Sequence, residues 1–500
     1  MRKMSIIEYN YSNFENLIKQ FEDGLKLTLN QGLTYETSKN PLVDLFGMGA
    51  SLRHENDLKR IFDLFSKAAE FDRQLALRCL FYLRDIRGGQ GERKVFRMLL
   101  LCLSVKNPEL ITEKLFKWVI EYGRWDDLYV FVDSPFEEKM FAFMKAQFDK
   151  DLESEHPTLL GKWLKSINTS SDRSKYLGQK TRKAFGLSEK KYRKKVSALR
   201  SKINVVEKKM SAGKWDAIDF EKVPSRAAMI YRNSFQNQQP ERYSEYLSQV
   251  ESGEKEIKTQ TLYPYDIVRK LMTKGVNKTL ELQWENLPNY VAADQNAIVV
   301  CDTSGSMYQQ GSVRPIDIAI SLSIYFAERN NGLFKNKFIT FSERPTIQEI
   351  VGDSLYERIQ NLSSAHWAMN TNIQSTFRVL LDLMIKTKMD SNEEIKTIYI
   401  ISDMEFDYCI NDAKKIDTTL NVMREEFEKA GYSLPDLVFW NVNSHQNNMP
   451  FQENKGILGV SGASPVLFEY IMNSQEKGEI DSFEFIKDIL NSERYSQITI

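Results

Sequence analysis

The stretch AIVVCDTSGSM, residues 297–307, decides how the C-terminal part of this chain is read. Five apolar residues run from Ala297 to Cys301 and end at Asp302, after which the chain passes through Thr303, Ser304, Gly305 and Ser306. A short continuous apolar run is the pattern of a parallel strand buried on both faces. Asp302, Ser304 and Ser306 then follow at alternate positions, so a loop curling off the strand can turn all three toward one concavity. All three offer oxygen, which suits a hard cation such as Mg²⁺, with other divalent ions as alternatives.

Working outward, four further β-rich runs follow: KFITFS (337–342), TIYIISD (397–403), LVFWNV (437–442) and ILGVSG (457–462). Helical patterns alternate with them at about 315–330, 372–387, 412–430 and 464–473. Strands alternating with helices predict a Rossmann-like α/β fold with a mostly parallel sheet and helices on both faces. In such folds ligands bind where loops leave the carboxyl ends of the strands. Asp403 ends the run TIYIIS, and Thr371 lies in AMNTN just before a helical stretch. Together with Asp302, Ser304 and Ser306 they complete an expected metal-ligand set of five. The competing reading is that Ser304 and Ser306 merely cap a turn.

Upstream the grammar is helical. In ENDLKRIFDLFSKAAEF, Leu58, Ile61, Phe62, Phe65 and Ala69 recur on one face. DRQLALRCLFYLRDI follows and stops at Gly88-Gly89, and amphipathic segments continue at about 93–105, 108–122 and beyond 136. Helix pairs stacked as a HEAT-like repeat satisfy this pattern. The expected division is therefore a helical-repeat domain over 1–286 and an α/β domain over 287–500, with LPNYVAADQ (287–295) as linker. Five hundred residues exceed one core, and 42% apolar content can fill two. The four cysteines are scattered and no apolar run approaches a membrane span of roughly 18 residues. A reduced, cytoplasmic, monomeric protein is expected.

Overall charge is zero, with 68 basic and 68 acidic residues, but it is unevenly spread. Residues 162–209 hold sixteen Lys or Arg against Asp172, Glu189 and Glu207. Such one-sidedness suggests a polyanion-binding surface, with Lys183, Lys190, Lys191, Arg193, Lys194 and Lys195 as its candidates. The alternative is a solvated helical face. In RDIRGGQGERK (84–94), Arg84, Arg87, Arg93 and Lys94 surround three glycines, which let a backbone approach a phosphate closely. An interhelix turn with charged flanks reads equally well. Trp125, in GRWDDL, is either a base-stacking platform or core.

Enzymatic readings fail on residues. A phosphatase of the aspartyl-phosphate type wants a second Asp at position 304, which is Ser. GVSGAS (459–464) misses GxSxG, the four histidines form no HExxH, and there is no GxxxxGK[ST]. His366 is the histidine nearest the metal loops in sequence, and reads as a loop hydrogen-bonder. The site is expected to bind and not to catalyse.

DTSGS followed by a loop threonine and a strand-end aspartate resembles the metal-ion-dependent adhesion site (MIDAS) of von Willebrand factor A domains. On that pattern Asp302, Ser304, Ser306 and Thr371 face the metal, with Asp403 close by or acting through water. The whole chain resembles the DUF2828 group of Ro-related proteins. NPLVDLF (40–46), FYLRDIRGGQGER (81–93), LLGKWLKSIN (159–168), KWDAIDFEKVPSRA (214–227), IVVCDTSGSM (298–307), IISDMEFD (400–407) and LVFWNVNS (437–444) carry the likeness. The Ro ribonucleoprotein plan, a helical TROVE-type domain closed by an A domain, implies RNA as partner. Structured small RNAs and single-stranded ends are the two forms it implies. The rival expectation is an adaptor gripping an acidic protein partner through the metal.

Overall fold

The structure is a computed structural model. It describes residues 25–28, 33–55, 57–203, 205–291, 296–309, 313–341, 345–365, 373–390, 392–405, 416–444, 446–452, 455–476, 478 and 480–500. The chain divides into two compact units, neither continuous in sequence. The α/β unit joins the described residues up to Cys79 with Tyr263–Val276 and Asn289–Ser496, while the helical unit comprises Leu80–Leu262, Asn277–Pro288 and Gln497–Ile500.

In the α/β unit a short antiparallel pair comes first, β1 (Leu25–Leu27) with β2 (Leu33–Tyr35). The upstream pattern had read as helical only, and three-residue strands are too short to show a period of two. The main sheet has six strands. They are β3 (Ala297–Cys301), β4 (Lys337–Thr340), β5 (Ile347–Glu349), β6 (Thr397–Ser402), β7 (Asp436–Asn441) and β8 (Ile457–Ser461). Their order is β5-β4-β3-β6-β7-β8, parallel throughout except for the β4–β5 edge pair. All five β-rich runs are strands, and β5 is the one the sequence did not announce. Every residue of β3, β6 and β8 is buried, as continuous apolar runs require.

The sheet is covered by helices of diverse origin. Pro315–Arg329 is buried from Pro315 to Ala327, because it lies between the sheet and the helices Pro264–Lys274 and Leu355–Ser363. The helix Pro41–Gly49, capped by the Asn40 side chain, packs on β8 and β7. Ser461 Oγ donates to Phe46 O at 2.7 Å and accepts from Ala50 N at 3.1 Å, fixing that helix to the carboxyl end of β8.

The helical unit is built from short amphipathic helices. Arg93–Lys106, Glu113–Tyr122 and Glu137–Glu153 fall where the pattern expects them. Gly178 lets the helix Asp172–Ala184 rest on the Lys165 and Ser166 carbonyls, since a Cβ there would lie 3.0 and 2.9 Å from them. Gly161 does the same for Glu189–Lys202, with Leu199 Cβ at 2.7 Å from its would-be Cβ. A second cluster packs around Phe220, Phe235, Tyr243 and Tyr246.

Candidate functional site

The chain leaves β3 for β4 on one side and later enters β6 on the other, so β3 and β6 flank the point where strand order reverses. Ligand crevices form outside the carboxyl ends of strands at such a point. Asp302 and Asp403 stand there, each the residue after its strand. Asp302 N donates to Ile401 O at 3.0 Å, extending the ladder by one residue. Its Oδ1 accepts Ser304 N at 2.8 Å and its Oδ2 accepts Ser402 Oγ at 2.6 Å. Ser304 Oγ and Ser306 Oγ lie 3.1 Å apart. Asp302, Ser304 and Ser306 are thus one cluster.

Asp302 and Asp403 are both buried. Burial first, and then the Asp403 charge, push the Asp302 carboxyl up to about 7. Two carboxylates in a dry crevice repel, and a cation is what relieves them. The donors are hard oxygens, and Thr303 Oγ1 beside them is buried without a hydrogen-bond partner among the described residues. This set fits Mg²⁺ by its chemistry. No cluster of three or more His, Cys, Asp or Glu able to hold a metal occurs among the described residues. Thr371, the fifth expected ligand, lies outside the described residues, as does His366. Ser402, which orients Asp302, was not singled out from sequence. Its signal was a serine hydroxyl closing the run TIYII, one residue before Asp403.

The basic stretch divides by environment. Eight of its sixteen cations are tied down. Lys165, Lys175 and Lys180 meet carboxylates, and Arg182, Arg200, Lys202, Lys208 and Lys209 bond carbonyls or hydroxyls. Lys162 and Arg173 lean on the Trp163 and Tyr176 rings. The remaining six are Lys183, Lys190, Lys191, Arg193, Lys194 and Lys195. Their side chains make no hydrogen bond or ion pair among the described residues, and all but half-buried Lys195 are exposed. The helix Glu189–Lys202 turns Tyr192, Val196 and Leu199 inward, which leaves Lys190, Lys191, Arg193, Lys194 and Lys195 on its other faces.

The glycine turn resolves differently. Asp85 accepts Arg87 N at 3.0 Å and Gly88 N at 3.2 Å, while Gln90 N bonds Tyr82 O and Glu92 N bonds Leu83 O. Those amides are committed to the turn and not to a phosphate. Arg87, Arg93 and Lys94 are exposed. Arg84, expected among the RNA-contacting cations, is enclosed by the protein. It is 5% exposed and paired with Asp127, Nη2 to Oδ2 at 2.8 Å. Trp125 is core, stacked on Phe143. A Cβ at Gly123 would lie 2.6 Å from Val119 O and 2.7 Å from Asp127 Oδ2. Gly123→Ala is therefore expected to cost about 2–4 kcal/mol by prying at a buried ion pair. Chemical denaturation reads this directly, and an unchanged midpoint would contradict it.

No helix among the described residues is long and apolar enough to cross a membrane. In comparison with known proteins, residues 28–156 and 158–300 match a domain of unknown function, DUF2828. Residues 296–497 match another, DUF7788. The chain is also 29% identical over 499 aligned residues to "Uncharacterized protein L728" of Acanthamoeba polyphaga mimivirus, covering 90% of this chain and 85% of that protein. With more than half its length matched, and with NPLVDLF, RDIRGGQGER and LLGKWLKSIN all inside the matched residues, this chain belongs to the DUF2828 family.

Proposed function

We propose that this protein is a non-catalytic RNA-binding protein of the cytoplasm, similar in plan to Ro. It combines a HEAT-like helical-repeat domain with a von Willebrand factor A-type α/β domain. The single observation that carries the reading is the row of six unpartnered cations on consecutive helices, Lys183 and Lys190 to Lys195. Side chains that meet no carboxylate of their own are free to exchange counterions for phosphates. Arg87, Arg93 and Lys94 are further candidates on the same unit.

In the α/β unit Asp302, Ser304, Ser306, Thr371 and Asp403 would hold Mg²⁺. The bound ion would supply one open coordination position for a carboxylate or phosphate oxygen. The chain's own part is to keep the donors in place. Ser402 orients Asp302, the Ser304 amide fixes its other oxygen, and β3 and β6 hold the two carboxylates side by side.

The test is RNA affinity as a function of salt. The charge-reversed variant Lys190→Glu, Lys191→Glu, Arg193→Glu, Lys194→Glu is expected to flatten the slope of log affinity against log salt by about 3, at roughly 0.7 per contact. An affinity indifferent to salt in the wild type would sink the reading. A second reading, an adaptor for an acidic protein partner, draws on the buried Asp302–Asp403 pair, which calls for a cation whether or not RNA binds. The absorbance ratio of purified protein before and after nuclease separates the two.

A further inference from the structure

We infer that the helical unit carries a built phosphate-binding site beside Trp163, gripped by Arg97, Arg124 and Lys165. Three cations converge on one carboxylate there. Arg124 Nε lies 3.0 Å from Asp126 Oδ1, while Arg97 Nη2 and Lys165 Nζ lie 3.1 and 3.5 Å from Asp126 Oδ2. The neighbouring carboxylate, Asp127, is saturated. It takes Arg84 at 2.8 Å, Arg97 Nε at 2.7 Å and the Arg124 amide at 3.0 Å.

Two carboxylates therefore serve four cations, and the excess is two positive charges. Burial would raise the Asp126 carboxyl, but Arg124, Arg97 and Lys165 outweigh it and hold it below the usual range, so its negative charge is already counted. Arg93 is close enough for its charge to act on Arg124, which deepens the excess. A partly desolvated surplus of this size attracts a counter-ion, and a dianion matches it.

The geometry favours phosphate. The Arg97, Arg124 and Lys165 side chains are 32%, 28% and 26% exposed, so all three remain partly open to solvent while paired. The Arg124 guanidinium lies over the Trp163 ring at 4.0 Å. Arg124 gives Nε and Nη2 to Asp126 at 3.0 and 3.3 Å, and Arg97 gives Nε and Nη2 to Asp127 and Asp126, so the Nη1 group of each is what remains for a phosphate, with the Arg124 plane fixed by its ring. Because Asp126 and Asp127 already fix both guanidiniums, little side-chain entropy remains to be lost on binding.

This site does not depend on the cations of residues 183–195, and calorimetry on the full chain can show it. Sodium phosphate is expected to bind saturably with one site. Lys165→Gln is expected to weaken it on the order of tenfold, the value of one charge-assisted bond. Arg97→Lys, which keeps the charge and loses the fork, is expected to weaken it too. A thermal melt of each variant checks that the fold persists. Lys190→Glu, Lys191→Glu, Lys194→Glu should leave phosphate binding unchanged even if it abolishes RNA binding. Tighter binding of a 5′-phosphorylated trinucleotide than of phosphate would identify a nucleic-acid end as the source. Weaker binding of it would identify a free phosphate. Absence of saturable heat with phosphate, or equal affinity in wild type and a folded Lys165→Gln, overturns the inference.

Discussion

Asp302→Asn is expected to abolish measurable Mg²⁺ binding and, in the same experiment, to raise the melting temperature of the metal-free protein at pH 8. The two effects share one cause. Asp302 is buried against the charge of Asp403, and its carboxyl is pushed up to about 7. A carboxyl whose folded value lies above its unfolded value of about 4 favours folding fully below the unfolded value. That contribution is lost as pH rises through the folded value. The metal-free wild type should therefore melt lower at pH 8 than at pH 6, having lost about 1.4 kcal/mol in all, because the slope of about 1.4 kcal/mol per pH unit that holds below the folded value vanishes above it. Mg²⁺ replaces the missing proton as counter-charge, so its stabilising effect should be larger at pH 8. Asparagine keeps the shape and can still accept from the Ser304 amide, but it removes the charge. Both the pH dependence and the response to Mg²⁺ should vanish together. Calorimetric Mg²⁺ affinity in Asp302→Asn equal to that of the wild type would remove the metal assignment.

Residues 287–500 expressed alone are expected to lack a cooperative thermal transition, although every strand of the main sheet lies within them. The reason is the helix Pro41–Gly49, which covers β7 and β8. Leu42, Val43, Leu45, Phe46 and Met48 are all buried, between 0% and 3% exposed. At about 2 kcal/mol for each buried side chain, their removal forfeits roughly 10 kcal/mol, the size of a whole domain's stability. Ile267, Val268 and Leu271 of Pro264–Lys274 are lost as well, baring one side of Pro315–Arg329. The same fragment joined to residues 33–79 and 263–286 should recover a sharp melt. A cooperative transition in 287–500 within a few degrees of the full chain would show that the sheet needs no upstream helix.

Five strands were legible because each is centred on a short apolar, β-prone run, a pattern that survives any arrangement of its neighbours. The edge strand Ile347–Glu349 was not, since its three residues are half-buried or exposed and show no such run. At the crevice beyond β3 and β6 the sequence showed Asp302, Ser304 and Ser306 by their spacing and Asp403 by its place at a strand end. Whether Thr371 joins them lies outside the described residues. Arg84 and Lys190 look alike in sequence. One is neutralised by Asp127, 43 residues away, and the other faces water.

What the amino-acid order by itself determined are the local quantities: which runs become strands, which faces of helices turn inward, and where oxygen donors follow a strand. These depend on periodicity and on neighbours a few residues apart. Only the tertiary structure decided which helix covers the sheet, which cations remain unpaired, and that Arg97, Arg124 and Lys165 meet at one carboxylate. Those outcomes depend on shape and charge complementarity between segments tens to hundreds of residues apart, to which no short pattern is sensitive.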